Sequence, residues 1–281
     1  MSERENRLMT TLPPEEYHGM SRLSSSGIKQ LLKSPAHFKA WRDAPREPTP
    51  AMMFGTVVHL MTLEPHRVRD AVAVMPGDAP DRRSKAGKEW HEEFAAQSAG
   101  KVVISAEAFD RATHAAAAAI HSPAWRGLIK DGGHIETSLI WKDPEFGALC
   151  KARPDYIAPD MGYVVDVKTA IDASREAFAR ALWNLRYDIQ ARFYLNGIEA
   201  TTEARPHSFA WCVVESEPPH GVAWYRIGLR DLEVAQADIT NGLDIYADCV
   251  LADEWPGYVD SIQDIRLPAW ARRKADQPEE F

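Results

Sequence analysis

The chain reads as an α/β protein with a mixed central sheet flanked by helices. Strand-like runs near residues 136–141, 149–156 and 163–168 are followed by a helical stretch over 174–200. Further strands near 207–215 and 222–228 precede a long helix from about 230 to 252. The strand runs are rich in β-branched and aromatic residues and bounded by turn formers, and helical patterns on both sides of them supply cover for two sheet faces.

A chain of 281 residues can bury one substantial core. Residues 1–22 are polar and read as a flexible N-terminal segment, 23–271 as a single domain with its core at about 134–228, and 272–281 as a tail. Ser24–Ser26 can cap a helix, GIKQLLKSPAHFKAW, with Ile28, Leu31 and Leu32 as its apolar stripe and a break or kink at Ser34-Pro35. The run AMMFGTVVHLMTL predicts a second helix over residues 51–63. Gly55 and His59 are four apart there and share a face, where glycine permits another backbone to come close. A lone histidine on such a helix is commonly a structural residue, although neutral imidazole can also ligate a metal. Residues 76–130 look mainly helical, and the alanine run 115–119 is a good helix former.

Glu136 opens the run ETSLIW, a position where a solvent-exposed carboxylate is ordinary. LCKARPDYI looks like the next strand, with Asp155 near its end because Pro154 cannot donate to a ladder. After the turn APDMG comes YVVDVK. Side chains alternate faces along a strand, so Asp166 and Lys168 share one face while Val165 and Val167 point to the other and can pack on a helix. The two strands form a hairpin that brings Asp155 beside Asp166. Two adjacent carboxylates repel unless a proton or a cation intervenes. Oxygen ligands at this density favour a hard ion, Mg²⁺ or Mn²⁺. Lys168 would orient an attacking water or offset charge on a phosphorane. A bare D-x-K is equally what an exposed ion pair on an ordinary hairpin looks like.

In the helical pattern from residue 183 to 200, Tyr187, Gln190 and Tyr194 line one stripe. Such a stripe is often core, but a glutamine at its centre is costly to bury alone and favours a polar cleft. DRRSKAGK is the densest basic run, and Arg82, Arg83, Lys85 and Lys88 fit either a solvated loop or a DNA contact. The net charge of −8 argues against broad nonspecific duplex binding and leaves room for a locally basic channel. The three cysteines have no CxxC spacing, which disfavours an Fe-S cluster and a disulfide framework and fits a reducing cytoplasm. No apolar leader or stretch of about 18 apolar residues appears, so neither secretion nor a membrane is expected.

Five ordered blocks resemble the PD-(D/E)xK nuclease superfamily, and within it the RecE-like (exonuclease VIII) branch of prophages. They are FGTVVHLMTLEP from Phe54, Glu136 in IETSLIW, Arg153-Pro154-Asp155 with Asp166-Val167-Lys168-Thr169, YDIQARFY from Tyr187, and Leu267-Pro268-Ala269-Trp270-Ala271. The resemblance implies a restriction-endonuclease-like αβββαβ core with N-terminal helical additions. It implies that His59, Asp155, Asp166 and the carbonyl of Val167 ligate Mg²⁺ (Mn²⁺ as the alternative), with Glu136 at a second ion or a water. Lys168 would position the nucleophile, Gln190 and Tyr194 would contact the phosphate or brace Lys168, and Arg153 would join the DNA contacts. The implied activity is exodeoxyribonuclease digestion of double-stranded DNA ends from 5′ to 3′, leaving a 3′ overhang for a single-strand annealing protein. A homo-oligomeric ring, a tetramer, is implied too, in the cytoplasm of a bacterial or phage-infected cell. An endonuclease, a 3′-to-5′ exonuclease of the same superfamily, and a DNA-binding recombination protein with a degenerate site stand as alternatives.

Overall fold

Side-chain hydroxyls set where the helices begin. In the computed structural model, which describes residues 6–9, 12–44 and 47–267, strand β1 (Arg7–Met9) and helix α1 (Pro14–Gly19) lead to α2 (Ser25–Leu31), α3 (Pro35–Asp43) and α4 (Pro50–Leu63). Ser24, Ser34 and Thr49 accept hydrogen bonds from the backbone N–H groups of Gly27, His37 and Met52, which the first turns would otherwise leave unpaired. The break expected at Ser34-Pro35 is therefore a new cap. A 3-10 turn follows, then α5 (Val68–Ala71), β2 (Val72–Met75), α6 (Lys85–Gln97), β3 (Val102–Ser105), α7 (Ala106–His121) and α8 (Pro123–Leu128). β2 and β3 pair in parallel within the region read as mainly helical. Runs of four residues have too few positions for their period to tell strand from helix.

The second half comprises β4 (His134–Ile135), β5 (Ser138–Lys142), β6 (Leu149–Ala152), β7 (Tyr156–Ile157), β8 (Tyr163–Ala170), α9 (Arg175–Asn184), α10 (Tyr187–Thr201), β9 (Ser208–Glu215), β10 (Val222–Arg226) and α11 (Leu229–Ala252). The helical stretch predicted over 174–200 is two helices, divided at Arg186 in the left-handed conformation (φ 51°).

The principal sheet runs β10-β9-β8-β7-β4 and is mixed, as expected: β8 and β9 are parallel and its other pairs antiparallel. The strand predicted over 149–156 is broken into β6 and β7, and the one predicted over 136–141 is β5, preceded by the separate short strand β4. β4 and β7 join β8, while β5 and β6 pair with β1 in a separate three-stranded sheet. Glu136, with φ 46°, turns the chain between β4 and β5; Arg153-Pro154-Asp155 turns it between β6 and β7, where Pro154 has no N–H for a ladder.

Helices cover both faces of the principal sheet. Val165 and Val167, fully buried, pack with Val57 and Val58 of α4 and Ala112, Ala115 and Ala116 of α7. Val164, on the opposite face, packs with Ile189 and Phe193 of α10 and Ile239 of α11. Asp166 and Lys168 belong to this second face. The segment read as flexible carries two anchors, since Leu12 and Tyr17 pack with Ile140 of β5. No helix among the described residues is long and apolar enough to cross a membrane. From residue 268 onward, the LPAWA motif and the tail at 272–281 lie outside the described residues.

Candidate active site

β8 delivers Asp166 and Lys168 side by side. Asp166 is fully buried, and the Lys168 ammonium stands 2.6 Å from its Oδ2. The Nε2 amide of Gln190 donates to Asp166 Oδ1 at 3.0 Å and also reaches the Tyr194 hydroxyl at 3.0 Å. The stripe read on α10 therefore faces the carboxylate, and Gln190 has the partners its burial requires. Lys168 also lies 4.8 Å from the centre of the Tyr187 ring. Burial opposes its charge, but Asp166 and then Asp155 outweigh it and hold the ammonium above the usual lysine range. Lys168 is thus a fixed cation.

The two strand breaks deliver the other carboxylates. Glu136 N–H donates to the Asp155 carbonyl at 3.0 Å, so the bends lie against each other. Asp155 Oδ2 accepts the N–H of Val167 at 2.7 Å and sits 3.4 Å from His59 Nδ1. The His59 Nε2 is 2.6 Å from the Val167 carbonyl. A carbonyl only accepts, so Nε2 donates to Val167, and the other ring nitrogen, Nδ1, faces Asp155. Gly55 makes this approach possible, because a Cβ there would come within 3.3 Å of Thr169 Oγ1 on β8.

One donor atom each from His59, Glu136 and Asp155 falls within 4.8 Å of the others. At these carboxylates burial and mutual repulsion outweigh the nearby cations. Burial, then Asp155 and Glu64, pushes Glu136 up to about 8; burial, then Asp166, pushes Asp155 up to about 6. A divalent cation removes that penalty, and two carboxylates with one imidazole suit Mg²⁺ or Mn²⁺. The donor set fits the metal that the resemblance implied. Asp166, also expected as a ligand, is outside this group of three side chains. Lys168 and Gln190 occupy the oxygens of Asp166, and the His59 ring occupies the Val167 carbonyl.

His59 and Glu136 open onto a cleft of about 690 Å³ whose walls include Tyr194, Arg153, Lys151, Arg67, His18 and Tyr17. Arg153 is anchored as well as lining it: Nε and a terminal nitrogen donate to Ser138 Oγ at 2.9 and 2.7 Å, and that terminal nitrogen also reaches the Leu12 carbonyl at 2.8 Å. Lys151 donates to the carbonyls of Tyr17 and Met20 at 2.7 and 2.8 Å. Sequence reasoning passed over Lys151, although it sits two residues before Arg153 and strand alternation puts the two on one face. Tyr17, His18 and Arg67 carry no local signal. None of Arg82, Arg83, Lys85 and Lys88 lines the cleft. Arg83 pairs with Asp81 at 2.7 Å just before α6, and Lys85 pairs with Glu89 at 3.9 Å one turn apart within it, all on solvated surface.

A family model described as a PDDEXK-like domain of unknown function (DUF3799) matches residues 24–268. The fold is similar to the crystal structure of a Eubacterium rectale protein provisionally named an exonuclease, with a TM-score of 0.60 and 14% identity over 93% of this chain and 98% of that one. At that identity the likeness speaks to the fold alone. A solved structure named SSO0001 gives a TM-score of 0.27 and 16% identity over 77% of this chain and 85% of that one, too low to bear on the fold. No curated protein matches the chain.

Proposed function

The chain belongs to the PDDEXK-like family whose model spans it, and on that premise we propose that it is a divalent-metal-dependent nuclease of the RecE-like kind. The observation carrying this reading is that Lys168 and Gln190 contact Asp166 while His59 and Glu136 cluster with the neighbouring Asp155. His59, Glu136 and Asp155 would hold the cation, with Asp166 at its edge. A cation there supplies charge to the phosphate and acidifies a water. Lys168, kept protonated by its carboxylate neighbours, holds the attacking water or a phosphate oxygen by charge-assisted hydrogen bonding. Gln190 fixes the orientation of Asp166, and Tyr194 fixes that of Gln190.

The finer reading is 5′-to-3′ digestion of linear duplex DNA, leaving 3′ overhangs for an annealing protein, by a ring-shaped homo-oligomer. A time course with Mg²⁺ on linear duplexes labelled at the 5′ or the 3′ end, beside a closed circle, tests it. Early release of 5′ label with the circle intact is the expected result. Early release of 3′ label reverses the polarity, and cutting of the circle makes the protein an endonuclease. Metal-independent DNA binding with no cleavage of any substrate would leave a recombination scaffold.

A further inference from the structure

Helix α2 places one more cation beside Lys168. Ile28 and Leu31 are 0% and 1% exposed in the core, which fixes how this helix is turned. A Cβ on Gly27 would lie 2.7 Å from Leu23 Cδ1, so the helix also sits hard against the chain that precedes it. Lys29, between these anchors, reaches toward α10, and its ammonium lies 5.6 Å from the centre of the Tyr187 ring. The Lys168 ammonium is 4.8 Å from the centre of the same ring. One tyrosine thus has two lysines as neighbours, from elements far apart in sequence.

The two lysines differ in their partners. Lys168 has Asp166 at 2.6 Å. Lys29 makes no hydrogen bond and has no carboxylate within 4.0 Å among the described residues; the Tyr187 ring is its one close partner. A lysine in the last turn of a helix commonly serves the terminal carbonyls, and Lys29 serves none. Burial, followed by the Lys168 charge, pushes its ammonium down to about 8. Folding alone therefore gains little from a lysine here, whereas an anion arriving beside Lys168 would give Lys29 the counter-charge it lacks. A phosphodiester suits it, because a lysine ammonium offers a compact charge with three donors.

We propose that Lys29 binds a backbone phosphate of the nucleic-acid strand being cut, beside the phosphate addressed by Lys168; this rests on the nuclease reading above. The test compares wild type with Lys29→Met and Lys29→Arg on a short fluorescein-labelled linear duplex. Affinity is measured over a series of KCl concentrations with Ca²⁺ in place of Mg²⁺, and kcat and KM are measured with Mg²⁺. Lys29→Met should weaken binding about tenfold, as expected for losing a charge-assisted hydrogen bond. It should raise KM with kcat within about twofold, and flatten the slope of log K against log salt by about 0.9. Lys29→Arg should keep the wild-type slope. A packing role alone would leave that slope unmoved. Wild-type digestion together with an unchanged slope and KM in Lys29→Met overturns the proposal and leaves the nuclease reading standing. If Lys29→Met does not melt cooperatively, Lys29→Arg decides, because a slope flattened by about one with the charge retained also overturns it. A wild-type protein that neither binds nor degrades the duplex removes both readings.

Discussion

Glu136 and Asp155 meet backbone to backbone at the point where two strands leave one sheet for another. The N–H of Glu136 donates to the Asp155 carbonyl at 3.0 Å, and both side chains belong to the cluster with His59. Glu136 holds a left-handed conformation (φ 46°), which costs a non-glycine residue on the order of 1–2 kcal/mol. The bend stores that cost where it aims a carboxylate into the cleft.

Asp166→Ala should abolish Mg²⁺-dependent degradation of linear duplex and also destabilise the fold. The substitution leaves the Lys168 ammonium without its ion-pair partner, at a cost of about 3 kcal/mol. Urea unfolding should show a lower midpoint with an unchanged slope. Asp166→Asn keeps an acceptor for Gln190 and should lose less stability while remaining inactive. Undiminished digestion by either variant would remove Asp166 from the mechanism.

Without a divalent ion, stability should fall as pH rises. Glu136 is raised from 4.5 to about 8 and Asp155 from 3.8 to about 6, so the folded state holds protons that the unfolded chain has released. Their contribution is fully present below about pH 4 and lost by about pH 8. Urea midpoints in EDTA should therefore decline across that window, and Glu136→Gln should flatten the decline. Mg²⁺ or Mn²⁺ should raise the wild-type melting temperature more at pH 8 than at pH 6, because the ionised carboxylates are the form that binds. A thermal shift that is equal in Glu136→Gln would place the ion elsewhere.

Gly55→Leu should weaken cation binding and stability together. Its side chain would enter the space held by Thr169, push α4 from β8 and stretch the His59 contact with Val167. A stability loss of about 1–3 kcal/mol is expected for such overpacking. Gly55→Ala should remain within about 1 kcal/mol of wild type, since a better helix former offsets the contact with Thr169. Calorimetric titration with Mn²⁺ and thermal melts check both variants.

Lys151→Met should loosen the N-terminal segment. Its ammonium holds the carbonyls of Tyr17 and Met20, and charged hydrogen bonds of this kind contribute about 1.5–3 kcal/mol each. Limited proteolysis should cut the variant between residues 12 and 23 faster than wild type, with a lower urea midpoint. Equal protection would show that Leu12 and Tyr17 suffice as anchors.

Local pattern alone made much of this molecule legible. Apolar periodicity located the helices around Ile28, His59 and Gln190, and a serine run marked the start of the first. Strand alternation placed Asp166 and Lys168 on one face with Val165 and Val167 on the other. What the sequence could not show lies in contacts between distant segments. The short strands Val72–Met75 and Val102–Ser105 acquire their conformation from each other, and no window of four residues carries that. Tyr17 and Lys151 are 134 residues apart and meet because the N-terminal chain is held on the sheet of β5 and β6 at two places, by β1 on β5 and by Leu23 against Cys150 of β6. The division of β4 to β7 between two sheets was hidden because a left-handed Glu136 is chosen by its bond to Asp155, a partner no local rule names. The sequence by itself determined which side chains share a face, because that follows from the strand and helix periods. The tertiary structure alone decided which faces meet, and so at which carboxylates burial and mutual repulsion outweigh the nearby cations, because burial and Coulomb energies depend on distances through space.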